Sequence, residues 1–334
     1  MRQRSGGTTI GEVAKKAGVS PATVSRVMND RFFGDAAVAE RVFAVAAELA
    51  YSPSHLARSL ALGQTSAIGF VVPDLANPAF QAVLSGLSKA AAKDGYRVLI
   101  ADSAESAGDE PALAREIRRR CDALVLCAPR MSDSALTTLA ESLQPLVLIN
   151  RIALGLTVPS LSIDYFSGIQ NLAQHLWDLG HRHMVFVEGP LDSMSNQQRI
   201  RGLEDFARQR PDVRIDRVAG GAATEDGLAA AERVVASGAT TALAFNDLVA
   251  IGLLHGLIER GVRVPDDVSV TGFDDIPFAR YNAPALTTLS VPHEELGGHA
   301  WERMRSLVAG GEPGPDAVFR PRLQVRASTG PVRS

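Results

Sequence analysis

The stretch TTIGEVAKKAGVSPATVSRVMN, Thr8 to Asn29, constrains the fold more than any other in this chain. Thr9, followed three residues later by Glu12, makes a capping box, in which a hydroxyl and a carboxylate satisfy the free amides of a helix start. Ile10, Val13, Ala14 and Ala17 then recur at i, i+3, i+4 and i+7, one apolar face of a short helix. Gly18 supplies the backbone freedom to end it. Ser20 and Pro21 open a second helix as N-cap and first helical residue, where the N–H that proline lacks has no partner to lose. Val24, Val27 and Met28 give that helix its own apolar face. Helices this short are not stable alone, so they must pack on each other and on a third. Asp35 is placed to cap one running to about Ala50, with Val38, Val42, Val45, Ala46 and Leu49 turned inward.

A helix–turn–helix presents its second helix to the major groove of DNA. Pro21, Ala22 and Arg26 lie away from the apolar positions and so face base edges. Arg26 suits a guanine's O6 and N7, whereas Pro21 and Ala22 offer only apolar contact, for example to a thymine methyl. Thr23, Ser25 and Asn29 suit phosphates, which position a protein without reading sequence. Thr9 and Ser20, at the two helix starts, complete this DNA-binding set. The competing reading is an ordinary helical hairpin with a solvated Arg26. Charge favours the first. The chain's net charge is −3, yet residues 1–64 carry 8 Lys+Arg against 5 Asp+Glu, leaving 26 against 32 beyond them. A basic module on an acidic body suits a polyanionic partner at one end only.

From Ser66 the pattern changes. AIGFVV (67–72), RVLIA (97–101), ALVLC (123–127) and LVLI (146–149) read as buried parallel strands, with helices over Phe80–Asp94 and Ser132–Leu143. MVFVE (184–188), a strand near Val218, ALAF (242–245) and VSVTGF (268–273) form a second series. Repeated βα units imply doubly wound parallel sheets, and two series imply two lobes with a cleft between them. Ligands of such folds bind beyond the carboxyl ends of the strands. The opening MRQRSGG lacks the apolar core of a signal peptide, and no run approaches a membrane span, so a cytoplasmic chain without a membrane partner is expected. Cys121 and Cys127 are too far apart along an extended strand for a disulfide and read as small buried hydrophobes. His181 and His183 have no third ligand nearby, so no metal or other cofactor is expected. No nucleophile–base pair presents itself, and the chain is not read as an enzyme.

GEVAKKAGVSPATVSRVMN resembles the headpiece of the lac repressor family of bacterial transcription regulators, and YSPSHLARSLALGQT (51–65) resembles that family's second signature. The resemblance implies an α/β chain with an N-terminal three-helix helix-turn-helix headpiece and a two-lobed, periplasmic-binding-protein-like core of doubly wound parallel sheets. It places the headpiece at 1–50, a hinge helix at 51–65 and the core at 66–334. Lobe 1 is expected at about 66–163 and 292–322, lobe 2 at about 164–291 and 323–334. Leu60 matches the leucine that relatives insert into the minor groove and Ala57 the small residue beside it; such a wedge kinks the duplex. The bland alternative is a linker whose Leu56 and Leu60 pack on the core. Relatives usually carry a larger apolar residue where Gly34 stands and Ser at Asp35, and Phe33 is expected to fill that role.

The resemblance continues through PDLANPAF, SIDYFSG, LGHRHMVFVEGP, FNDLVAIG, VPDDVSVTGFDD and PALTTLSVPHEELG. It makes Phe80 the aromatic that stacks on an effector, and Arg199, Asn246 and Asp274 a trio for sugar hydroxyls. Arg151 and Asp164 stand at strand ends facing the cleft, and Ser193 and Ser195 line it. A guanidinium, an amide and a carboxylate can each engage paired hydroxyls in bidentate geometry, and an aromatic plate covers an apolar sugar face. Singly, Asp164 and Asp274 could cap turns, Arg199 could pair with a surface acid and Phe80 could be core. Relatives often show Gly-Asp-Phe-Thr where this chain has Gly220-Gly221-Ala222-Ala223-Thr224, so the pocket is wider on that side or its ligand larger. The expectation is a DNA-binding regulator, most simply a repressor, of double-stranded operator DNA, controlled by a sugar-like small molecule. A purine effector, or a sugar-binding protein without a regulatory role, are the alternatives. A palindromic operator requires a homodimer, and the ending ASTGPVRS has no heptads for a tetramer.

Overall fold

The computed structural model describes residues 8–28, 32–51, 64–152, 155, 157–312 and 314–333. The chain divides into two compact units, 1–65 and 66–334.

The first unit holds α1 (Ile10–Ala17), α2 (Pro21–Met28) and α3 (Ala36–Glu48). Its ends are closed locally. The Thr9 N–H donates to Glu12 Oε2 at 2.7 Å, and the Glu12 N–H donates to Thr9 Oγ1 at 3.4 Å. Gly18 is left-handed at φ 67°. Ser20 Oγ accepts from the Thr23 amide at 3.1 Å, and Asp35 from the Ala37 amide at 2.9 Å. Val13, Ala14, Ala17, Val24, Val27, Val42 and Ala46 form a small core. The expectation for Phe33 is corrected: it is 100% exposed, and Phe32 packs on the core instead. Gly34 makes this possible, because a Cβ there would stand 2.4 Å from Phe32 Cζ. Asn29, Ala57, Leu60 and most of the expected hinge lie outside the described residues.

The second unit alternates strands and helices. It opens with β1 (Ala67–Val72), α4 (Pro78–Lys93), β2 (Arg97–Asp102), α5 (Glu110–Arg118), β3 (Ala123–Cys127), α6 (Asp133–Ala140), β4 (Leu146–Ile149) and β5 (Ser160–Ile163). It continues with α7 (Tyr165–Asp178), β6 (His183–Val187), α8 (Met194–Arg208), β7 (Arg214–Val218), α9 (Thr224–Ser237), β8 (Thr241–Ala244), α10 (Asp247–Glu259) and β9 (Ser269–Thr271). The chain then forms β10 (Thr288–Ser290), α11 (His293–Val308), β11 (Ala317–Phe319) and β12 (Arg322–Gln324). One six-stranded sheet runs β11-β5-β4-β3-β1-β2 and a four-stranded sheet β7-β6-β8-β9, every pairing parallel. A short antiparallel ribbon pairs β10 with β12, the two strands that flank β11 in the chain. The return of α11 and β11 closes the first lobe, since α11 packs on α4 and the β3–β5 face while β11 pairs with β5.

Strands β1, β3 and β4 are buried along their whole lengths, as continuous apolar runs require. β2 departs from that expectation, with Leu99 and Ile100 39% and 44% exposed. It is the outermost strand of its sheet, and an apolar run does not reveal which strand ends at an edge. β9 is also shorter than VSVTGF suggested, because from Gly272 on the backbone amides bond the Thr287 and Leu289 carbonyls instead of β8. Cys121 and Cys127 are free and buried, and burial pushes their thiols up to about 11 and about 12. His181 bonds Thr240 Oγ1 and the Gly330 carbonyl, and His183 bonds Asp216. No helix among the described residues is long and apolar enough to cross a membrane.

Candidate functional site

In the first unit the second helix keeps the face that its sequence reserves. Val24 and Val27 are buried, while Pro21, Ala22 and Arg26 are exposed. Ser20 and Thr23 share a hydroxyl–hydroxyl bond of 2.9 Å at the start of α2, and Ser25 is half-buried. Thr9 is exposed, with its backbone N–H and hydroxyl turned to Glu12. The exposed face therefore carries one guanidinium beside two small apolar side chains, with hydroxyls along its edge.

In the second unit the strand ends converge on a cavity of about 30 Å³, the room of a water or two. Phe80, Ser195, Arg199, Asn246 and Asp274 all line it. Arg199, on α8, is buried against three aromatic rings, its guanidinium carbon 3.9 Å from the Phe273 centroid, 4.4 Å from Tyr165 and 4.7 Å from Phe245. Its Nε and Nη1 are buried without a hydrogen-bond partner, and burial lowers its pKa. An ionised side chain held this way is costly unless something bonds it. Asn246 caps α10, its Oδ1 accepting from the Val249 amide at 2.8 Å and its Nδ2 donating to the Ala222 carbonyl at 2.9 Å. One N–H and one lone pair of that amide remain.

Asp274 is placed by its neighbours. Its amide donates to the Leu289 carbonyl at 2.8 Å. The buried Asp247 holds the loop that carries it, with Oδ2 accepting from the Ile276 amide at 2.8 Å and Oδ1 from Thr288 Oγ1 at 2.5 Å. Gly272 lets that carboxylate in, since a Cβ there would stand 2.1 Å from Asp247 Oδ1. Burial first, and then the Asp274 charge, push the Asp247 carboxyl well above the ordinary range. Asp247 acts on the cavity through Asp274, as a positioning residue.

Three residues that the sequence pointed to do not reach the cavity. Arg151 donates to the Pro129 and Met131 carbonyls and to Asp133. The left-handed Asn150, at φ 55°, puts its own side chain on the cavity wall, and Arg151 runs beneath the β3–α6 loop instead. Asp164 caps α7 by accepting from the Ser167 amide at 2.9 Å, and the next residue, Tyr165, lines the wall. Ser193 caps α8 and is fully buried behind Ser195, hydroxyl to hydroxyl at 2.9 Å.

Sequence reasoning missed Glu105, Arg130, Asn150 and His293, all of which line the cavity. Arg130 is buried and paired bidentately with Glu105 at 2.5 and 2.9 Å. Asn150 Oδ1 and His293 Nε2 are buried without a hydrogen-bond partner, and His293 Nε2 stands 3.6 Å from Asp274 Oδ1. The available signal was position after a strand: Glu105 follows β2, Arg130 β3 and Asn150 β4. Glu105, Ala128, Asn150 and Asp274 are all left-handed at φ 59°, 47°, 55° and 111°. Non-glycine residues rarely adopt that region, and such backbone strain collects at functional sites.

The family description "Bacterial regulatory proteins, lacI family" matches residues 9–54, and "Periplasmic binding protein-like domain" matches residues 173–329. The HTH-type transcriptional regulator AscG of Escherichia coli (strain K12) is 32% identical over 329 residues, which is 96% of this chain and 98% of that protein. The HTH-type transcriptional regulator GalR of Salmonella typhimurium (strain LT2) is 34% identical over 327 residues, 96% of this chain and 95% of that protein. Among solved structures, the lac repressor dimer bound to operator and the anti-inducer ONPF superposes with a TM-score of 0.87 at 26% identity, over 97% of this chain and 100% of that one. The transcriptional regulator CelR in complex with cellobiose gives 0.71 at 26% identity, over 96% and 99%. With its capped helix–turn–helix, its two parallel sheets and relatives alike along nearly the whole length, the chain belongs to the lacI family of bacterial regulatory proteins.

Proposed function

We propose that this regulator is a homodimeric repressor whose hold on double-stranded operator DNA is set by an uncharged, polyhydroxylated ligand, a sugar or close derivative, bound between the two lobes of its core, which part to admit it because the cavity as it stands holds about 30 Å³. One observation carries the reading: Arg199, Asn150 and His293 direct buried, unpartnered donors and acceptors at a single cavity. Leaving such groups unsatisfied costs about 1–3 kcal/mol each, so a ligand rich in hydroxyls recovers energy that the empty site gives up. Two guanidinium groups, Arg130 and Arg199, face two carboxylates, Glu105 and Asp274. That balance favours a neutral ligand over a phosphorylated one.

The dimer is supported by exposed apolar side chains of the core, with Ile258 at 53%, Phe278 at 59% and Tyr281 at 83% exposure, besides the open edge at Leu99 and Ile100. Such surfaces on a cytoplasmic chain are ordinarily covered by a partner, and two copies present two recognition helices to a two-fold operator. The domain assignment is headpiece 1–50, hinge 51–65 and core 66–334. Thr9, Ser20, Pro21, Ala22, Thr23, Ser25, Arg26 and Asn29 meet the major groove or its phosphates, and Ala57 and Leu60 the minor groove.

Calorimetric titration of a saccharide panel, with and without saturating operator, tests the whole scheme. Coupling is reciprocal, so an effector must bind with different affinity in the two experiments, by the factor through which it alters operator affinity. A saccharide that binds the core equally in both is not the effector. A panel in which nucleobases bind and saccharides do not overturns the sugar reading.

A further inference from the structure

On the side of the first sheet, one pair of charges organises the cavity wall. Glu105, in the loop after β2, and Arg130, in the loop after β3, meet side-on, with Nε donating to Oε2 at 2.5 Å and Nη2 to Oε1 at 2.9 Å. Arg130 Nη1 donates to the Ala128 carbonyl at 3.0 Å. These bonds use three of the five N–H groups of a guanidinium and leave one on Nη1 and one on Nη2, which together form its end-on fork. Each carboxylate oxygen of Glu105 likewise keeps a lone pair. The pair lines the cavity and carries no net charge.

A third residue sets both loops. Glu110, fully buried in the first turn of α5, accepts the Arg130 and Met131 amides on Oε2, each at 2.7 Å. Its Oε1 accepts from Ser103 Oγ at 3.3 Å, at the start of the loop that carries Glu105. The Glu105 amide in turn donates to the Pro73 carbonyl at 2.6 Å. One buried carboxylate thus ties together the loops of both partners. All of these bonds lie among the strand ends and helix of the first sheet, so the pair keeps its shape when the two lobes part.

We propose that Glu105 and Arg130 determine ligand specificity by reading two adjacent hydroxyl groups of the sugar, and that Glu110 is the positioning residue that aligns them. This rests on the sugar reading and deepens it. Two parallel N–H groups match two neighbouring oxygens, and the lone pairs beside them take the hydroxyl protons. A ligand carboxylate fits the same fork but meets the Glu105 charge, so the pair favours a neutral diol. Such a site rejects an analogue that lacks one hydroxyl, because its own buried groups are then left unmatched.

The test uses the full-length chain and calorimetric titration with glucose, galactose, mannose and ribose, their monodeoxy analogues and the uronic acids of the hexoses. For a sugar that binds, loss of either of two adjacent hydroxyls is expected to weaken binding about tenfold or more. Arg130→Met is expected to bring the parent sugar down to the level of those two analogues, while penalties at the other hydroxyls persist. Glu105→Ala leaves the Arg130 charge unbalanced and is expected to shift preference toward the uronate. Glu110→Ala is expected to repeat the Arg130→Met pattern, and Glu110→Gln, whose amide oxygen can still accept both N–H groups, to restore discrimination. A purely structural role would weaken all analogues alike. Ser103→Ala cuts only the tie to the Glu105 loop, so it keeps the positioning role testable if melting curves show Glu110→Ala unfolded; a smaller loss at the same two hydroxyls is expected. Discrimination that survives Arg130→Met in a folded protein, or a uronate that the parent protein binds more tightly than the neutral sugar, overturns the diol assignment and leaves the sugar reading standing. Discrimination unchanged in the folded Glu110 and Ser103 variants removes the positioning role. Failure of every saccharide to bind removes the sugar reading and this inference with it.

Discussion

The headpiece and the core cavity manage their polar groups in opposite ways. In the headpiece, hydroxyls and carboxylates at helix starts are satisfied within two or three residues, by Thr9 with Glu12, Ser20 with Thr23 and Asp35 with Ala37. What remains for a partner is an exposed surface. In the cavity, polar atoms drawn from Asn150, Arg199 and His293 are buried and unmatched. On the proposed function, the first region reads DNA with side chains it does not need for folding, and the second is completed by its ligand. Stability and function are therefore separable in the headpiece and opposed in the cavity.

Arg199→Met is the strongest attempt to break that contrast. Hydrogen bonds to charged groups contribute about 1.5–3 kcal/mol each, so losing both unpartnered donors should weaken ligand binding a hundredfold or more. The same substitution removes two buried donors that lack a hydrogen-bond partner, each costing about 1–3 kcal/mol, against the loss of the guanidinium's contacts with three aromatic rings. Calorimetric titration and a thermal melt of the one variant should show affinity falling while the melting temperature holds or rises. A fall in both would place Arg199 among the residues the fold depends on.

Arg26→Ala makes the matching test in the headpiece. It should cost about 1–3 kcal/mol per half-site on the operator and relax preference at one base pair, with no change in melting temperature. Binding assays on specific and random duplexes measure this; equal losses on both would make Arg26 a phosphate contact.

The adjacent aromatics sharpen the headpiece side. Phe32→Ala should destabilise that unit by about 1–3 kcal/mol, while Phe33→Ala should fall within about 0.5 kcal/mol of the parent in a denaturant titration. A larger effect at Phe33 would reverse the packing assignment.

The smallest effect expected is a pH dependence of the core. Burial lowers the pKa of His175 and His181 below the ordinary 6.5. The unfolded chain then binds more protons than the folded one as pH falls below that value, so stability declines through that window and is regained above it. His181→Gln should flatten the slope of melting temperature against pH below about 6.5. An unchanged slope would mean that His181 keeps its usual pKa.

Much of the headpiece was legible because its signals are local. A cap and its partner lie three residues apart, and an apolar face repeats within two turns. The sheets were legible for a similar reason: buried strands are continuous apolar runs, wherever they end up. Edge position is not local, which is why β2 read as buried while Leu99 and Ile100 are open. The choice between Phe32 and Phe33 turns on the backbone before α3, which neighbouring aromatics cannot report. In the cavity, the resemblance pointed to Phe80, Ser195, Arg199, Asn246 and Asp274, and all five line it. It did not point to Glu105, Arg130, Asn150 or His293. These meet only where separate strand ends converge, and at Glu105 and Asn150 a left-handed backbone sets where the side chain goes. That conformation carries no pattern in a run of residues unless glycine marks it.

Those left-handed positions also set how the protein would respond to directed evolution. A side chain in that region costs roughly 1–2 kcal/mol that glycine avoids, so a library screened for heat resistance alone should accumulate glycine at the strand ends. At Ala128 the exchange removes one methyl group. At Glu105, Asn150 and Asp274 it deletes a group that faces the cavity. A screen that rewards only survival on heating would thus enrich variants that no longer sense their ligand, and their defect would stay hidden until transcription was assayed.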